Sequence, residues 1–329
     1  MHILVTGGAG YIGSIVAEQA IAAGHAVTTI DNLSGGSRSA VPPESRFVEG
    51  DFGDAGLLDL VCQARPVDAV VHLAAEAAIA PSIADPARYF DANLVKGLSL
   101  LDAMRRHQIR RLIFSSTAAT YGEPEQLPIT EDHPHRPVNA YGESKYLFER
   151  CLAWYHRAYG LRAVVFRYFN AAGASPYRGE DRHEESHLIP LALDVALGRR
   201  EALEVFGDDY PTRDGSCLRD YVHVVDIADA HLRAIAAVDD IGIGFFNIGS
   251  GTGHTVLEVI DAVRRVTGRP VPVERRARRP GDPAALVASA DRARDVLGWR
   301  PARPSLDEIV TSAWQWRLAH PRGYGDGQR

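Results

Sequence analysis

The sequence has few cysteines, no large excess of either charge and no long apolar run. Its three cysteines, Cys62, Cys151 and Cys217, are too widely spaced for a disulfide framework or a metal site. The formal net charge of -6, from 36 basic and 42 acidic residues, gives no general attraction to nucleic acid or to an anionic membrane. No apolar run approaches the roughly 18 residues of a membrane span, and Met1 does not open a signal peptide. We therefore expect a cytoplasmic protein whose partner is a small molecule.

The pattern of apolar residues predicts an α/β fold. The 329 residues, 46% of them hydrophobic, are enough for two lobes around one cleft. Short runs rich in β-branched residues predict strands at residues 2–6, 26–30, 69–72, 111–115 and 163–167. Longer helical patterns separate them, at residues 11–23, 86–107 and 140–159. This alternation is typical of a doubly wound parallel sheet.

The alternation loosens after residue 167. Loops rich in glycine, proline and charge follow, at residues 173–185 and 207–215, before strand and helix patterns return. We predict a first domain over residues 1–167 and a smaller C-terminal α/β substrate lobe over residues 168–322, with segments able to return to the first domain. Residues 323–329 are glycine-rich, polar and terminal, which predicts a frayed tail.

A glycine motif joins the first predicted strand to the first predicted helix. It reads Gly7-Gly8-Ala9-Gly10-Tyr11-Ile12-Gly13 and has the spacing of short-chain dehydrogenases. Gly7 permits a tight turn, Gly10 lets the backbone approach a pyrophosphate, and Gly13 lets the helix pack on the strand. The helix start also offers free N–H groups to phosphates. The first domain is therefore predicted to be a Rossmann-type dinucleotide-binding domain.

Two carboxylates indicate which dinucleotide binds. Asp31 ends the second strand, 18 residues after Gly13, where a carboxylate accepts both ribose hydroxyls of NAD and repels the 2′-phosphate of NADP. Asp51 follows a strand-like run at residues 46–50 and is suited to bind the adenine amino group. We predict NAD as the cofactor.

A phenol, an ammonium and a hydroxyl form a candidate catalytic group. Tyr141 and Lys145 are four residues apart, so they share one face of a helix. Thr117 ends a strand at the carboxyl edge of the sheet, where open parallel sheets bind ligands. For Tyr141 to act as a base at neutral pH, its pKa must fall by about three units, or roughly 4 kcal/mol. Lys145 and an oxidised nicotinamide, each about 5 Å away, would each favour the phenolate by roughly 3 kcal/mol. A Tyr-x-x-x-Lys pair alone is often a chance arrangement, but here it coincides with the glycine motif.

These residues are accompanied by longer motifs, and together they resemble the UDP-galactose 4-epimerases of the extended short-chain dehydrogenase/reductase superfamily. The motifs are residues 6–14, Asp31-Asn32-Leu33-Ser34, Arg167-Tyr168-Phe169-Asn170 and residues 219–224, and the likeness covers nearly the whole chain. The resemblance implies an isomerase in which Tyr141 takes the proton of the sugar 4-hydroxyl while hydride passes to NAD. The transient 4-keto sugar turns over, and hydride returns to its opposite face. Thr117 would relay the proton, and Lys145 would hold the nicotinamide ribose and tune Tyr141.

The same resemblance implies the remaining contacts. The cofactor set is Gly7, Gly10, Tyr11, Ile12, Gly13, Asp31, Asn32, Asp51, Phe52, Leu73, Ala74, Asn93, Ser115, Tyr141, Lys145 and Tyr168. The substrate set is Thr117, Tyr141, Asn170, His187, Leu188, Val205, Phe206, Arg219, Arg279 and Asp282. Two arginines suit a diphosphate because guanidinium pairs bidentately with phosphate oxygens, although the run at residues 275–279 could instead be a solvated basic patch. The predicted helices at residues 86–107 and 140–159 resemble the pair that forms a four-helix dimer interface in the family, so we expect a homodimer.

Three positions depart from the family pattern. Ala77 stands where some relatives have a lysine in the cleft, and Thr117 replaces a more frequent serine. Leu286 occupies a position that is often tyrosine or a small residue beside the sugar 2-substituent. The acceptance of N-acetyl sugars is therefore left open.

Other functions were weighed against this prediction. His183-Glu184-Glu185-Ser186-His187 matches the His-Glu-x-x-His zinc motif, but it follows a loop and Pro190 comes soon after, so we predict no metal. An epimerase of another nucleotide sugar, such as UDP-N-acetylhexosamine, UDP-xylose or UDP-glucuronate, is the main alternative. A dehydratase needs an acid pair after Thr117, where this chain has Ala118 and Ala119. A Rossmann protein that senses NAD without chemistry normally loses the tyrosine or the lysine.

Overall fold

The computed structural model describes residues 1–182, 185–279 and 282–325. Within them the strands are β1 (His2–Thr6), β2 (Ala26–Asp31), β3 (Arg46–Glu49), β4 (Ala69–His72), β5 (Arg111–Thr117), β6 (Arg162–Tyr168), β7 (Asn170–Ala172), β8 (Leu203–Phe206), β9 (Leu218–His223), β10 (Ile243–Ile248), β11 (Gly253–Thr255), β12 (Val273–Arg276), β13 (Ala285–Leu286) and β14 (Pro321–Tyr324). The α-helices are α1 (Tyr11–Ala22), α2 (Ala55–Ala64), α3 (Ile79–Ala84), α4 (Pro86–Phe90), α5 (Lys96–Arg106), α6 (Ala140–Tyr159), α7 (Leu188–Ala196), α8 (Val224–Ile241), α9 (Val256–Thr267), α10 (Asp291–Leu297) and α11 (Leu306–Ala319).

A seven-stranded sheet in the order β10-β6-β5-β4-β1-β2-β3 carries the first domain, and all its pairings are parallel. The prediction of a doubly wound parallel α/β sheet is confirmed, and all five predicted strands are present. β5 is longer than predicted because its pairing with β6 continues through Thr117 and Tyr168. The site-bearing hydroxyl of Thr117 is therefore on the last residue of a sheet strand.

Strand residues alternate between two hydrophobic layers. In β1, Ile3 and Val5 pack into one core with α1 and α8, while Leu4 packs into another with α2, α5 and α6. Because strand side chains point to opposite faces in turn, a strand covered on both faces needs apolar residues throughout. The apolar runs at residues 3–5 in β1 and 69–71 in β4 follow from this, and they are the reason why sequence patterns identified these strands.

The predicted single helix over residues 86–107 is wrong in its middle. α4 and α5 are separated by a π-helical turn at Asp91–Val95, a wider turn that residue periodicity does not distinguish from α-helix. Asn93 lies in this turn and is buried. Its side chain bonds the backbone of Glu76 through both amide atoms and donates to the hydroxyl of Ser144 on α6.

Residues beyond 167 build two smaller sheets and also return to the first one. β7, β9, β11 and β13 form one sheet and β8 pairs with β12, while α7, α9 and α11 pack around a separate core. β10 pairs with β6, and α8 packs on the same sheet beside α1, so residues 224–248 are part of the first domain's layers. Because β6 and β10 are far apart in the sequence, no local sequence pattern indicates that they pair.

The predicted frayed tail is also corrected in part. Tyr324 ends β14, packs on the ring of Trp316 with centroids 5.3 Å apart and donates from its hydroxyl to the carbonyl of Gly179. This aromatic contact orders the chain as far as residue 325, and residues 326–329 lie outside the described residues. None of the described helices combines the length and apolar character of a membrane span.

Candidate active site

The glycine turn after β1 has the shape that a dinucleotide needs. Gly7 has a φ of +76°, and a Cβ there would lie 2.5 Å from the backbone nitrogen of Ala74. A Cβ at Gly13 would clash with the carbonyl of Gly7, so this glycine lets α1 close on the turn. At Gly10 a Cβ would meet only the Gly7 carbonyl oxygen, at 3.3 Å, and would otherwise stand in the space that a pyrophosphate would use.

The start of α1 continues this cradle. The N–H groups of Tyr11 and Ile12 are in the first turn, where the helix itself supplies no acceptor. The Tyr11 hydroxyl donates to the carbonyl of Gly173 at 2.6 Å, which ties the glycine turn to a loop beyond residue 167. The residues present therefore fit a dinucleotide phosphate bridge.

The predicted ribose and adenine carboxylates lie at the ends of β2 and β3. Asp31 accepts hydrogen bonds from the N–H groups of Ala9, at 3.0 Å, and Leu33, at 2.8 Å, so its carboxylate is held against the glycine turn. Burial raises the pKa of Asp31, with these two bonds acting against the rise. Asn32 accepts from the N–H of Ser34. Asn32 and Asp31 are thus fixed by their own turn.

Asp51 is already engaged by another residue. Its carboxylate accepts from Lys96 Nζ at 2.6 Å and from the N–H of Gly53 at 2.8 Å. Burial acts to raise the pKa of Asp51, but the hydrogen bonds from Lys96 and Gly53 and the charge of Lys96 together outweigh it, so the pKa is lowered. Phe52 beside it packs on the ring of His72 at 4.9 Å. The partner Lys96 was not foreseen from the sequence, since it comes from α5.

Tyr141, Thr117 and Lys145 come together at the carboxyl edge of the sheet. The Thr117 side chain is close enough to the Tyr141 phenol to act on its pKa, which it lowers. Lys145 Nζ donates to the carbonyl of Ser115 at 2.9 Å and lies 4.8 Å from the centre of the Phe114 ring. α6 begins with Asn139, whose side chain accepts from the N–H of Gly142 and so fixes the first turn that presents Tyr141.

The electrostatics of this group differ from expectation. Burial raises the pKa of Tyr141, while the side chain of Thr117 and the charge of Arg182 act against it. Burial lowers the pKa of Lys145 to about 7, and the nearby Glu149 opposes that change. The chain's own groups thus leave the Tyr141 pKa above its ordinary value. The expected lowering by Lys145 is not seen in the protein by itself, because desolvation of both groups dominates.

Tyr168 and Asn93 close the same end of the cleft. The Tyr168 hydroxyl lies 2.7 Å from His231 Nε2, and His231 Nδ1 lies 2.9 Å from the carbonyl of Ile227. Because that carbonyl can only accept, Nδ1 carries the proton and Nε2 accepts from Tyr168. Burial lowers the pKa of His231 to about 4, so the ring is neutral. Ser115 is hydrogen-bonded to Tyr168 as well.

Leu73 and Ala74 follow β4 at the same edge of the sheet. The N–H of Leu73 donates to the carbonyl of Thr6 at 3.0 Å, and Ala74 borders the turn at Gly7. Asn93 is bonded to Glu76, which is two residues after Ala74. Leu73 and Ala74 are therefore next to the glycine turn, and Asn93 is linked to the segment that follows them.

A second group of predicted residues gathers on β8, β9 and the segment after β12. Arg219 Nη2 is 3.1 Å from Asp282 Oδ1, and the Arg279 guanidinium lies 3.8 Å above the Phe206 ring. Asn170 donates to the carbonyl of Asp220 at 2.9 Å. Val205 differs from the rest, because its side chain is buried in the core of the substrate lobe and leaves only its backbone for a ligand.

The basic run divides into two parts. Arg275, Arg276 and Arg278 are exposed and pair with the surface carboxylates of Asp208, Glu204 and Asp209. They match the solvated patch that was the alternative interpretation. Arg279 alone in the run stacks on Phe206 in the described structure.

His187 lies just before α7, which begins at Leu188. Its Nδ1 is 2.6 Å from Glu180 Oε1, and the charge of Glu180 raises the pKa of His187. Glu180, Glu185 and His187 place ligand atoms within 4.8 Å of one another. Arg182 donates to Glu180 and Arg317 lies 3.8 Å from Glu185, so guanidinium groups already balance these carboxylates. His183 and Glu184 of the zinc-like motif lie outside the described residues, and residues 185–187 are not helical.

The comparisons with known proteins agree with this geometry. A model described as the NAD dependent epimerase/dehydratase family matches residues 3–249. The UDP-glucose 4-epimerase of Lacticaseibacillus casei is 49% identical over 329 residues, covering 99% of this chain and 99% of that protein. The UDP-glucose 4-epimerase from Brucella ovis, solved in complex with NAD, has a TM-score of 0.92 and 45% identity over 95% of this chain and 97% of its own. The enzyme from Bifidobacterium longum, solved with NAD+ and UDP, has a TM-score of 0.94 and 37% identity over 98% of this chain and 100% of its own.

Proposed function

The chain belongs to the NAD dependent epimerase/dehydratase family, and from this premise we propose that Thr117, Tyr141 and Lys145 carry out the inversion of C4 of a UDP-hexose. The protein is an NAD-dependent epimerase of UDP-sugars and therefore an isomerase, with UDP-glucose and UDP-galactose as its substrates. The observation that carries the assignment of residues is that Thr117, at the end of β5, acts on the phenol of Tyr141, which is one helical turn from Lys145 on α6.

The cofactor is held by the first domain in this proposal. Gly7, Gly10, Gly13 and the N–H groups of Tyr11 and Ile12 surround its pyrophosphate, and Asp31 accepts from the ribose of its adenosine half. When bound, NAD accepts a hydride from C4 of the sugar and returns it to the opposite face of the ketone, which inverts C4. Lys145 holds the nicotinamide ribose beside Ser115.

Proton transfer falls to Tyr141. Its phenolate accepts the proton of the sugar 4-hydroxyl and later returns it to the 4-oxygen. Thr117 bonds both the phenol and the 4-oxygen, so the proton has a short path between them. Because burial holds the Tyr141 pKa above its ordinary value, the phenolate must gain its stability from cations that assemble around it. Arg182 already acts in this direction, and Lys145 is assigned the same role in its charged form.

The nucleotide part of the substrate lies against the substrate lobe in this proposal. Arg219 and Arg279 meet the diphosphate, Phe206 packs beside uracil, and Asp282 accepts from the ribose. Arg219 and Asp282 already bond each other at 3.1 Å, which pre-organises both groups for a ligand with matching charges. The remaining substrate contacts are assigned to Asn170, His187, Leu188 and the backbone of Val205.

Two further properties are proposed for the whole molecule. Val95, Trp154 and Tyr159, on or beside α5 and α6, expose more than half of their surface, and burying them in a homodimer built on these helices would remove them from water. Light scattering at micromolar concentration should give the mass of two chains, and the mass of one would contradict this. The three unpaired cysteines suit a reducing cytoplasm. The division into residues 1–167 and 168–322 is kept as a functional one, with residues 224–248 joining the first domain.

The function is tested by a substrate panel without added cofactor. Purified protein is incubated with UDP-glucose, UDP-galactose, their N-acetyl forms and UDP-xylose, and the products are resolved by chromatography. Interconversion of UDP-glucose and UDP-galactose is expected. Activity on the N-acetyl forms would show that Leu286, which packs beside Ala118 and Ala288, leaves room at the sugar 2-position. A protein that carries no dinucleotide and stays inert toward every sugar after NAD is supplied would refute the proposal.

A further inference from the structure

A buried carboxylate stands behind the candidate catalytic residues. Glu149 is on α6, one turn beyond Lys145, and its side chain is only 2% exposed. Its Oε1 accepts from the hydroxyl of Ser116 at 2.5 Å, and its Oε2 accepts from Arg167 Nη2 at 2.7 Å. Arg167 Nε also lies 3.2 Å from Oε1, so the guanidinium meets the carboxylate through two nitrogens.

Both partners of Glu149 are next in sequence to predicted site residues. Ser116 lies between Ser115, whose carbonyl accepts from Lys145 Nζ, and Thr117. Arg167 precedes Tyr168 at the end of β6, and its Nη1 donates to the hydroxyl of Tyr121 at 2.9 Å. One carboxylate thus connects α6 to the carboxyl ends of two neighbouring strands.

The network behind Glu149 is continuous. Tyr121 donates to Asn247 Oδ1 at 2.7 Å, and the N–H of Asn247 donates to Glu131 Oε1 at 2.8 Å. Asn247 belongs to β10, so the chain of bonds crosses the sheet edge from β5 through β6 to β10. Bonds inside a low-dielectric interior reinforce one another, and every one that is lost leaves a costly unpaired group.

We propose that Glu149 is a positioning residue for epimerisation. By bonding Ser116 and Arg167 together, it fixes the ends of β5 and β6 against α6 and so sets the distances among Thr117, Tyr168 and Lys145. This inference rests on the proposed function of those three residues. The spacing of Tyr141, Lys145 and Glu149, each four residues after the last, places all three on one face of α6.

The charge of Glu149 has a second effect, on Lys145. Burial lowers the Lys145 pKa to about 7, and Glu149 is the group that opposes this. His72 on β4 also lies close enough to interact with the ammonium, and Tyr141 is one turn away on α6. His72 is neutral, since burial lowers its pKa to about 3, and Arg167 is already paired with Glu149. Loss of the carboxylate would lower the Lys145 pKa further and favour the neutral amine.

The test separates positioning from folding by removing the buried charges together. Glu149→Leu alone leaves Arg167 buried without a counter-ion and should lower both Tm and kcat. Glu149→Leu with Arg167→Met replaces the ion pair by apolar side chains of similar size, an exchange that is often neutral for stability. We expect this double variant to recover most of the Tm while kcat stays on the order of a hundredfold low at unchanged KM, because a misplaced catalytic group costs about that much.

A matched control uses the opposite ends of the same strands. Asp239 bridges Arg111 at the start of β5 and Arg162 at the start of β6, so Asp239→Asn removes a similar carboxylate far from the cleft. Its kcat should equal that of the unaltered protein. Recovery of both Tm and kcat in the double variant would overturn the inference and leave Glu149 a purely structural residue. Absence of turnover in the unaltered protein would overturn the proposed function, and this inference with it.

Discussion

At each end of β5 and β6 one carboxylate bridges the two strands, but the surroundings of the two carboxylates differ. At the amino ends, Asp239 bonds Arg111 and Arg162 at 2.6 Å each, and its carboxylate is 37% exposed. At the carboxyl ends, Glu149 bonds Arg167 and Ser116 and is 2% exposed. The first carboxylate sits in water, where an ion pair is worth little. The second sits in the interior, where each lost partner leaves an unpaired charge. The candidate catalytic residues therefore lie at the buried end, where each charged group needs a bonded partner to be stable.

The same contrast appears in the titration of the side chains. At the exposed end, Arg111 and Arg162 lower the pKa of Asp239 to about 2, so it stays ionised at any physiological pH. At the buried end, desolvation raises the pKa of Tyr141 and lowers the pKa of Lys145, so it favours the neutral form of each group. Lys145, whose pKa is lowered to about 7, can gain or lose a proton when a ligand brings its own charges. The buried end is thus suited to proton transfer, and the exposed end is not.

The largest effect is expected from Tyr141→Phe at the buried end. Removal of the phenol hydroxyl deletes the proposed base while keeping the ring, so bound NAD should be retained and kcat should fall by roughly a hundred- to ten-thousand-fold. Cofactor content is measured by absorbance after denaturation, and kcat with UDP-galactose. Epimerisation at a near-normal rate would remove Tyr141 from its role. Tyr155→Phe on the same helix, outside the cleft, serves as the control.

Lys145→Met tests whether burial of the Lys145 ammonium lowers the stability of the fold. The unfolded chain holds the lysine proton up to about pH 10, whereas the folded chain begins to release it near pH 7, so burial of this lysine is unfavourable at neutral pH. The variant should therefore be more stable by on the order of 2 kcal/mol at pH 7, with the gain shrinking as the pH rises through 10, because the unfolded chain then loses the proton as well. Its kcat should be largely lost.

Urea unfolding at pH 7 and pH 9.5 measures this difference. Lys96→Met is the comparison, because Lys96 is partly exposed and paired with Asp51, which raises its pKa. That change should lower stability slightly at both pH values. A Lys145→Met variant less stable than the unaltered protein at pH 7 would contradict the argument.

Asp31→Asn addresses the rim of the cofactor site, where we expect a smaller effect. The amide keeps its shape but loses the charge that favours NAD over NADP, so NAD affinity should fall about tenfold and the preference over NADP should shrink by a similar factor. Titration of the cofactor-stripped protein with each dinucleotide measures both quantities. Ser34→Ala, in the same turn but outside the predicted cofactor set, controls for damage to the turn. An unchanged preference would place Asp31 outside the ribose site.

The contrast also explains what the sequence could predict. β1, β4 and the glycine turn depend on neighbours within a few residues, and the bounds of β1 and β4 were predicted from local composition. The pairing of Tyr141 with Lys145 depends on helical spacing, which is equally local. The link from Glu149 to Ser116 and Arg167 joins three elements, and neither the residue type nor the spacing of any one of them specifies it. Arg182 near Tyr141 and Lys96 on Asp51 were missed for the same reason.

Two larger features of the fold are likewise not predictable from local sequence. The pairing of β10 with β6 joins segments about 80 residues apart, and the π-helical turn at Asp91–Val95 is a change of one residue per turn that apolar periodicity does not resolve. Both affect the site, since Asn93 and Asn247 depend on them. Local patterns therefore indicated which chemistry is present, and packing decided which residues support it.

The smallest effect is expected from Asp239→Asn, which tests the exposed end directly. Because the folded-state pKa of Asp239 lies below its unfolded value, its ionised form stabilises the fold above about pH 4, and this contribution disappears as the pH falls toward 2. Solvent screens the pair, so the variant should lose less than about 1 kcal/mol at pH 7 and nothing near pH 2, with kcat unchanged. Thermal unfolding between pH 2 and pH 7 gives the difference. A loss of activity would mean that the amino ends of β5 and β6 also position the catalytic residues, and the contrast between the two ends would no longer hold.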